Sequence, residues 1–171
     1  MERQFSRRLQ KKTNYKRRLA LLKSGLHRIV VRKSLNSIRI QVIEYDRKGD
    51  KTLLEDISSN LRKLGWKFHC GNISAAYLIG FKIGKAAALK GIKNAVADIG
   101  LQGSTKGNVL YAALKGVEDA GVNLNIGDIA PDQSKIKGSH VSHYAKKLKA
   151  ENPEKFEKQF SSYIKNNSVS K

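Results

Sequence analysis

Asn94-Ala95-Val96-Ala97-Asp98-Ile99 runs into Gly100-Leu101-Gln102-Gly103-Ser104-Thr105-Lys106-Gly107, and an amphipathic stretch follows. The core of the first segment, Ala95 to Ile99, reads as a short strand. Beyond the glycine-rich loop, Val109, Leu110, Ala113, Leu114 and Val117 recur at helical spacing, and Gly121 ends the helix. Upstream, a second helix is expected from Ser74 to about Lys90, with Ser74 as N-cap, Ile73 and Leu78 as a hydrophobic staple and Gly91 as the stop. Tyr77, Phe81, Gly84 and Ala88 share one of its faces. Gly80 and Gly84 are poor helix formers, so they point to close packing on a sheet or a neighbouring helix.

Working back from there, strands come first. Arg28 to Arg32 is a β-branched run, and Ser37 to Tyr45 alternates, with Ile38, Ile40 and Val42 on one face and Arg39 and Gln41 on the other. Lys33-Ser34-Leu35-Asn36 is the expected hairpin turn. Asp46 to Asp50 is a second turn, leading to a third strand near Lys51 to Asp56. Leu61 and Leu64 suggest a short helical piece ending at Gly65. Strand, helix, strand and helix after an antiparallel start predict an α/β domain on a mixed sheet.

Both ends differ from this middle. Residues 1–33 hold 12 Lys/Arg and one acid, residues 34–134 hold 13 and 10, and residues 135–171 hold nine Lys and three Glu. The formal charge of +20 therefore sits mostly on two extensions around a nearly neutral body. Nucleic acid is the commonest partner for such a layout, with an anionic membrane second. The boundaries read as a basic arm with a short helix over 1–25, an α/β domain over 26–134 and a Lys-rich helical extension over 135–171. In the arm, Thr13 is the expected cap of a helix from Tyr15 to Ser24. In the extension, one helix is expected from Ser139 to Lys149. Another starts with Asn152 as N-cap and Pro153 at its first turn, and carries Phe156, Phe160, Tyr163 and Ile164 as a stripe that needs a surface on the body or on a neighbour.

The arm places Arg3, Arg7, Arg8, Lys11, Lys12, Lys16, Arg17 and Arg18 within 18 residues, with Phe5 and Tyr15 between them. Guanidinium groups bind phosphate bidentately and aromatic rings stack on exposed bases, so the arm is a candidate RNA contact. The plainer alternative is a solvated or targeting tail. Arg28, Arg32, Lys33, Asn36 and Arg39 form a second candidate around the hairpin, against an ordinary polar sheet face. Arg47 in the next turn and Lys137 in the extension extend the candidate set.

Gly100 to Gly107, with Lys106, is the third candidate, because free backbone N–H groups ahead of a helix can hold a phosphate. A tight turn that merely needs glycine reads equally well. The loop lacks Gly-Lys-Ser/Thr in order, so it is not a Walker A loop. Enzyme chemistry finds no nucleophile–base pair. Asp98, Glu118 and Asp119 read as solvated or helix-face acids. His69 beside Cys70, and His140 with His143, lack the further ligands a metal needs. No cofactor is implied. A lone Cys70 suits a reducing cytoplasm, no secretory signal is visible in the first 18 residues, and Lys82, Lys85 and Lys90 break the longest apolar stretch, so no membrane span is expected.

Several pieces in order resemble a known family. They are Lys12-Thr13-Asn14-Tyr15, Arg17-Arg18-Leu19, Leu22-Lys23-Ser24-Gly25, Arg28 to Lys33, Tyr45 to Asp50, Leu61 to Lys67, Gly71-Asn72 and Ala75 to Leu78. Asp98-Ile99-Gly100-Leu101, Thr105-Lys106-Gly107 and Ala112 to Gly116 continue the series. Together they resemble the large-subunit ribosomal proteins that bind 5S rRNA, universal protein eighteen. His140 to Lys149 and Phe160 to Lys165 resemble the longer archaeal and eukaryotic members. The resemblance implies a three-layer α/β body on a mixed sheet, no catalysis and a seat in the central protuberance. It also implies contacts to 5S rRNA, to the large-subunit rRNA and to neighbouring proteins including universal large-subunit protein five. Asn14 stands where such proteins usually carry Asp, and Phe68-His69-Cys70 replaces a stretch expected to be Gly-rich.

Overall fold

β-branched residues fill the centre of the chain's strands, and their alternation sets which side of the sheet meets the helices. The computed structural model describes residues 5–10 and 12–165. Arg3 and Lys11 lie outside the described residues. Four strands, β1 (His27–Lys33), β2 (Ile38–Glu44), β3 (Lys51–Ile57) and β4 (Ala95–Asp98), form one sheet in the order β3-β2-β1-β4. β1 and β2 are antiparallel, as are β2 and β3, whereas β4 runs parallel to β1. The sheet is mixed, as expected. A 3₁₀ stretch, Ser58–Leu64, follows β3 and ends at Gly65.

Ile29, Val31, Ile38, Ile40 and Val42 are fully buried on the sheet face that meets α3 (Ile73–Leu89) and α4 (Val109–Asp119). Each such side chain removed from water contributes roughly 1.5–3 kcal/mol before entropy is charged. Ser58, also fully buried, accepts the Ile38 N–H at 2.8 Å and donates to the Cys70 carbonyl at 2.6 Å, so the start of β2 is tied to the loop before α3. Asp56 accepts from Lys82 Nζ, Asn60 Nδ2 and the Ile57 N–H. Burial alone would raise its pKa, but these bonds and the Lys82 charge win, and the carboxyl titrates below the usual aspartate value.

α3 and α4 pack through glycine. A Cβ on Gly80 would overlap the Ala113 carbonyl, and one on Gly116 would overlap the Tyr77 carbonyl. The expected close approach is therefore to a neighbouring helix. The face of α3 differs from the one read above: Ala75, Ala76, Ile79, Gly80, Ile83, Gly84 and Ala87 are buried, Tyr77 and Phe81 are half-buried at the margin, and Ala88 is exposed. Gly80→Ala should destabilise the protein by about 1–3 kcal/mol through overpacking. That exceeds the gain of about 1 kcal/mol in helix propensity. Urea unfolding checks it, and an unchanged midpoint would contradict the close packing.

Two helix caps lie one or two residues away from the expected positions. Asn72, not Ser74, caps α3: its Oδ1 accepts the Ala75 N–H at 2.7 Å, so Ile73 lies inside the helix and cannot act as the staple. The Ser74 hydroxyl instead donates to the Ile136 carbonyl at 2.6 Å. The arm holds a single turn, α1 (Ser6–Leu9), and then α2 (Tyr15–Leu22), which Asn14 rather than Thr13 caps and which stops two residues short of Ser24. Asn and Asp cap comparably, so the departure at Asn14 leaves the helix start intact.

The extension folds as α5 (Gln133–Ile136), α6 (Ser139–Glu151), α7 (Pro153–Gln159) and α8 (Ser161–Lys165). Asn152 caps α7 through the Lys155 N–H at 3.0 Å, as expected. Phe156 and Phe160 do not wait for a neighbour. They close a small core with Ala145 and Leu148, and Tyr163 stacks on Phe68 with ring centroids 4.9 Å apart. Phe68, part of the departure after Trp66, thus receives Tyr163 of α8 on the body.

Candidate nucleic-acid interface

Arg28, Val30 and Arg32 alternate with Ile29 and Val31, so they point away from α3 and α4, towards the arm. Burial separates their roles. Arg28 is 3% exposed. A guanidinium at that depth is tolerated only when paired. It donates through Nη2 to Asp50 and through Nη1 to Asp98 Oδ2 at 3.3 Å. Arg18 of α2 reaches Asp50 Oδ1 at 2.9 Å, and Arg32 reaches Asp98 Oδ1 at 3.0 Å and its carbonyl at 2.7 Å. Three arginines from the arm and β1 thus converge on two carboxylates.

One of these acids, Asp98, also shapes the loop after β4. Asp98 Oδ1 accepts the Gly100 N–H at 2.8 Å, and Gly100 adopts a positive φ of 65° that a side chain would resist. The Gly100 carbonyl then receives Arg17 Nη1 at 3.0 Å, fastening α2 to the body a second time. Arg7 Nε donates to Thr13 Oγ1 at 3.0 Å, and Phe5 and Tyr15 lie 5.0 Å apart by ring centroid. The arm therefore lies along the open face of the sheet with a cavity of about 190 Å³ beneath it.

Against the sequence-derived set, Arg28 is corrected: it is an internal charge, its guanidinium committed to the buried Asp98 and the half-buried Asp50 rather than offered to a partner. Asp98, read as a solvated acid, is 8% exposed and is the hub of this cluster. Its signal lay in the pairing of β4 with β1, since Val30 is opposite Asp98 and Arg28 opposite Val96 in the parallel register. Arg18 and Arg32 are half-buried, each with an acid. Arg8, Lys12, Lys16 and Arg17 are exposed, and Tyr15 is half-buried.

Lys33, Asn36 and Arg39 are exposed at the hairpin, where Arg39 meets Glu55 at 3.4 Å and Asn36 Oδ1 lies 3.5 Å from His69 Nε2. Gln102 bridges this hairpin to the glycine-rich loop by donating to the Lys33 carbonyl at 3.1 Å. Arg47, Lys106 and Lys137 are exposed on other segments of the chain.

The glycine-rich loop is tied back onto the chain near both of its ends. The N–H groups of Gly100, Gln102, Gly107 and Asn108 are all committed within the chain, to Asp98 Oδ1, Ile99, Ile129 and Thr105. Asn108 also caps α4. Glu118 and Asp119 pair with Lys115, each at 3.0 Å. Among the described residues no group of three or more His, Cys, Asp or Glu is placed to hold a metal ion, and no helix is long and apolar enough to cross a membrane.

Comparison with known proteins points the same way as the charge. Residues 1–95 match the family described as ribosomal large subunit proteins 60S L5 and 50S L18. Over 161 residues the chain is 46% identical to large ribosomal subunit protein uL18 of Methanococcus maripaludis, an alignment covering 94% of this chain and 83% of that protein.

Proposed function

Because this chain belongs to the uL18 family of large-subunit ribosomal proteins, archaeal in type, we propose that it binds 5S rRNA and helps attach it to the large-subunit rRNA in the central protuberance. Membership makes it a structural component of the ribosome in the cytoplasm and not an enzyme. The observation that carries the RNA reading is the docked arm. α2 is anchored through Arg17 and Arg18, while Lys16 on the same helix, and Arg8 and Lys12 ahead of it, keep exposed charge. A pre-ordered cationic surface loses less entropy on binding than a free tail would.

The contacting set is Arg7, Arg8, Lys12, Tyr15, Lys16, Arg17 and the exposed part of Arg18, with Arg32, Lys33, Asn36 and Arg39 at the hairpin. Arg3 and Lys11 extend it along the sequence. Arg47, Lys106 and Lys137 supply contacts away from the arm, to 5S rRNA or the large rRNA. Neighbouring ribosomal proteins, universal protein five among them, complete the set of partners.

A competition assay tests the reading. Labelled 5S rRNA bound to the full chain should be displaced by unlabelled 5S rRNA and only weakly by duplex DNA of equal charge. Equal displacement would make this a general polyanion binder instead.

A further inference from the structure

The cavity under the arm carries a charge imbalance that the fold does not resolve. Its two carboxylates, Asp50 and Asp98, are committed to Arg18, Arg28 and Arg32. Arg7, Lys12 and Arg17 also line it, and among the described residues none of these three meets a carboxylate. Among the described residues, the Arg7 guanidinium bonds the Thr13 hydroxyl and the Arg17 guanidinium the Gly100 carbonyl.

A second observation concerns the cavity's inner wall. Arg28 lines it at 3% exposure, and its Nε–H has no acceptor among the described residues. Buried donors are nearly always satisfied. The Arg28 carboxylate partners take the two Nη groups and leave this one over. At about 190 Å³ the space is several times the roughly 30 Å³ share of one water in the liquid. It has room for a tetrahedral oxyanion, and three cations without carboxylates favour an anion over neutral solvent.

We propose that this cavity is a phosphate-binding site formed jointly by the arm and the sheet, in which Arg7, Lys12 and Arg17 hold the oxygens and the buried, paired Arg28 adds charge behind the inner wall. This goes beyond a cationic arm that attracts RNA diffusely, because one phosphate group is seated in a defined place. The phosphate comes from an RNA backbone or from free inorganic phosphate. The first source rests on the RNA-binding reading above, and the second does not.

The test uses the full chain and four proteins: wild type, Lys12→Met, Arg17→Met and Lys23→Met. Lys12→Met removes a wall cation whose side chain bonds nothing among the described residues, so it tests the site even if Arg17→Met loosens the arm. Lys23→Met removes the same charge from the arm's far end, outside the cavity. Inorganic phosphate is titrated against thermal unfolding, with chloride at matched ionic strength as control. Wild type and Lys23→Met should show a saturable rise in Tm with phosphate, and Lys12→Met and Arg17→Met should lose it.

The same proteins are then titrated with 5S rRNA. If the backbone fills the site, Lys12→Met and Arg17→Met should weaken binding about tenfold or more. Lys23→Met should then weaken it less than about threefold. A saturable phosphate effect with unchanged RNA affinity in the cavity variants would assign the site to free phosphate. No saturable phosphate effect, together with equal RNA losses in all three variants, would overturn the site. Failure of the wild type to bind 5S rRNA would sink the proposed function while leaving the phosphate titration to decide the site.

Discussion

Raising the salt concentration from 50 to 200 mM should weaken binding of this chain to 5S rRNA by very roughly 10³–10⁵-fold, as expected when 6–10 phosphates are neutralised on the duplex-DNA scale. Each neutralised phosphate releases condensed counterions, and added salt opposes that release. The structure narrows which charges count. Among the described residues, Arg7, Arg8, Lys12, Lys16, Arg17, Lys33, Arg47, Lys106 and Lys137 have no carboxylate partner. Arg18, Arg28 and Arg32 already share Asp50 and Asp98, two negative charges against three positive, and Arg39 meets Glu55. A plot of log affinity against log salt measures the number engaged. A slope equivalent to one or two phosphates would mean that the arm does not lie on RNA.

Asp98→Ala should lower the free energy of unfolding by about 3–5 kcal/mol, because it strips one partner from a buried ion pair and leaves the other charged. Arg28 would keep only Asp50, Arg32 would lose its carboxylate, and the Gly100 N–H would lose its acceptor. Against a total stability of about 5–15 kcal/mol for an ordinary domain, that is a large share. The loss should also be felt at the interface. The Asp98 side chain fixes the Gly100 turn, and the Gly100 carbonyl anchors Arg17, so the arm should become more sensitive to limited proteolysis in native conditions. Asp98→Asn keeps an acceptor of the same shape for Gly100 and should cost less than Asp98→Ala. Urea unfolding of the two variants checks the order, and a loss below 1 kcal/mol in Asp98→Ala would contradict the hub role.

Hairpin and helix periodicities were legible because they are local. Ile38, Ile40 and Val42 alternate within one strand, and the α4 stripe repeats within one helix, so burial follows from spacing alone. Caps were less legible, since Asn14 competes with Thr13, and Asn72 with Ser74, within two residues of chain. Which one caps depends on where the other side chain finds a partner. For Ser74 that partner is the Ile136 carbonyl, 62 residues away. The α3 face was misjudged for a similar reason: Tyr77 and Phe81 look like core residues, but Gly80, Gly84 and Gly116 bring α4 so close that small residues occupy the centre and the rings are pushed to the margin.

By itself the sequence determined the α/β class, the two basic extensions and the ordered pieces by which the family is recognised. Those depend on composition and short-range period, which a chain carries whether or not it is folded. Tertiary structure alone decided which arginines are free. Arg28 and Arg32 look alike in the sequence, two of the charges beside a basic arm. The parallel pairing of β4 with β1 brings Asp98 beneath them, and the turn ahead of β3 brings Asp50, burying one and leaving the other half-exposed. Charge is written residue by residue, but the desolvation that makes a charge internal or available is set by neighbours up to 70 residues distant.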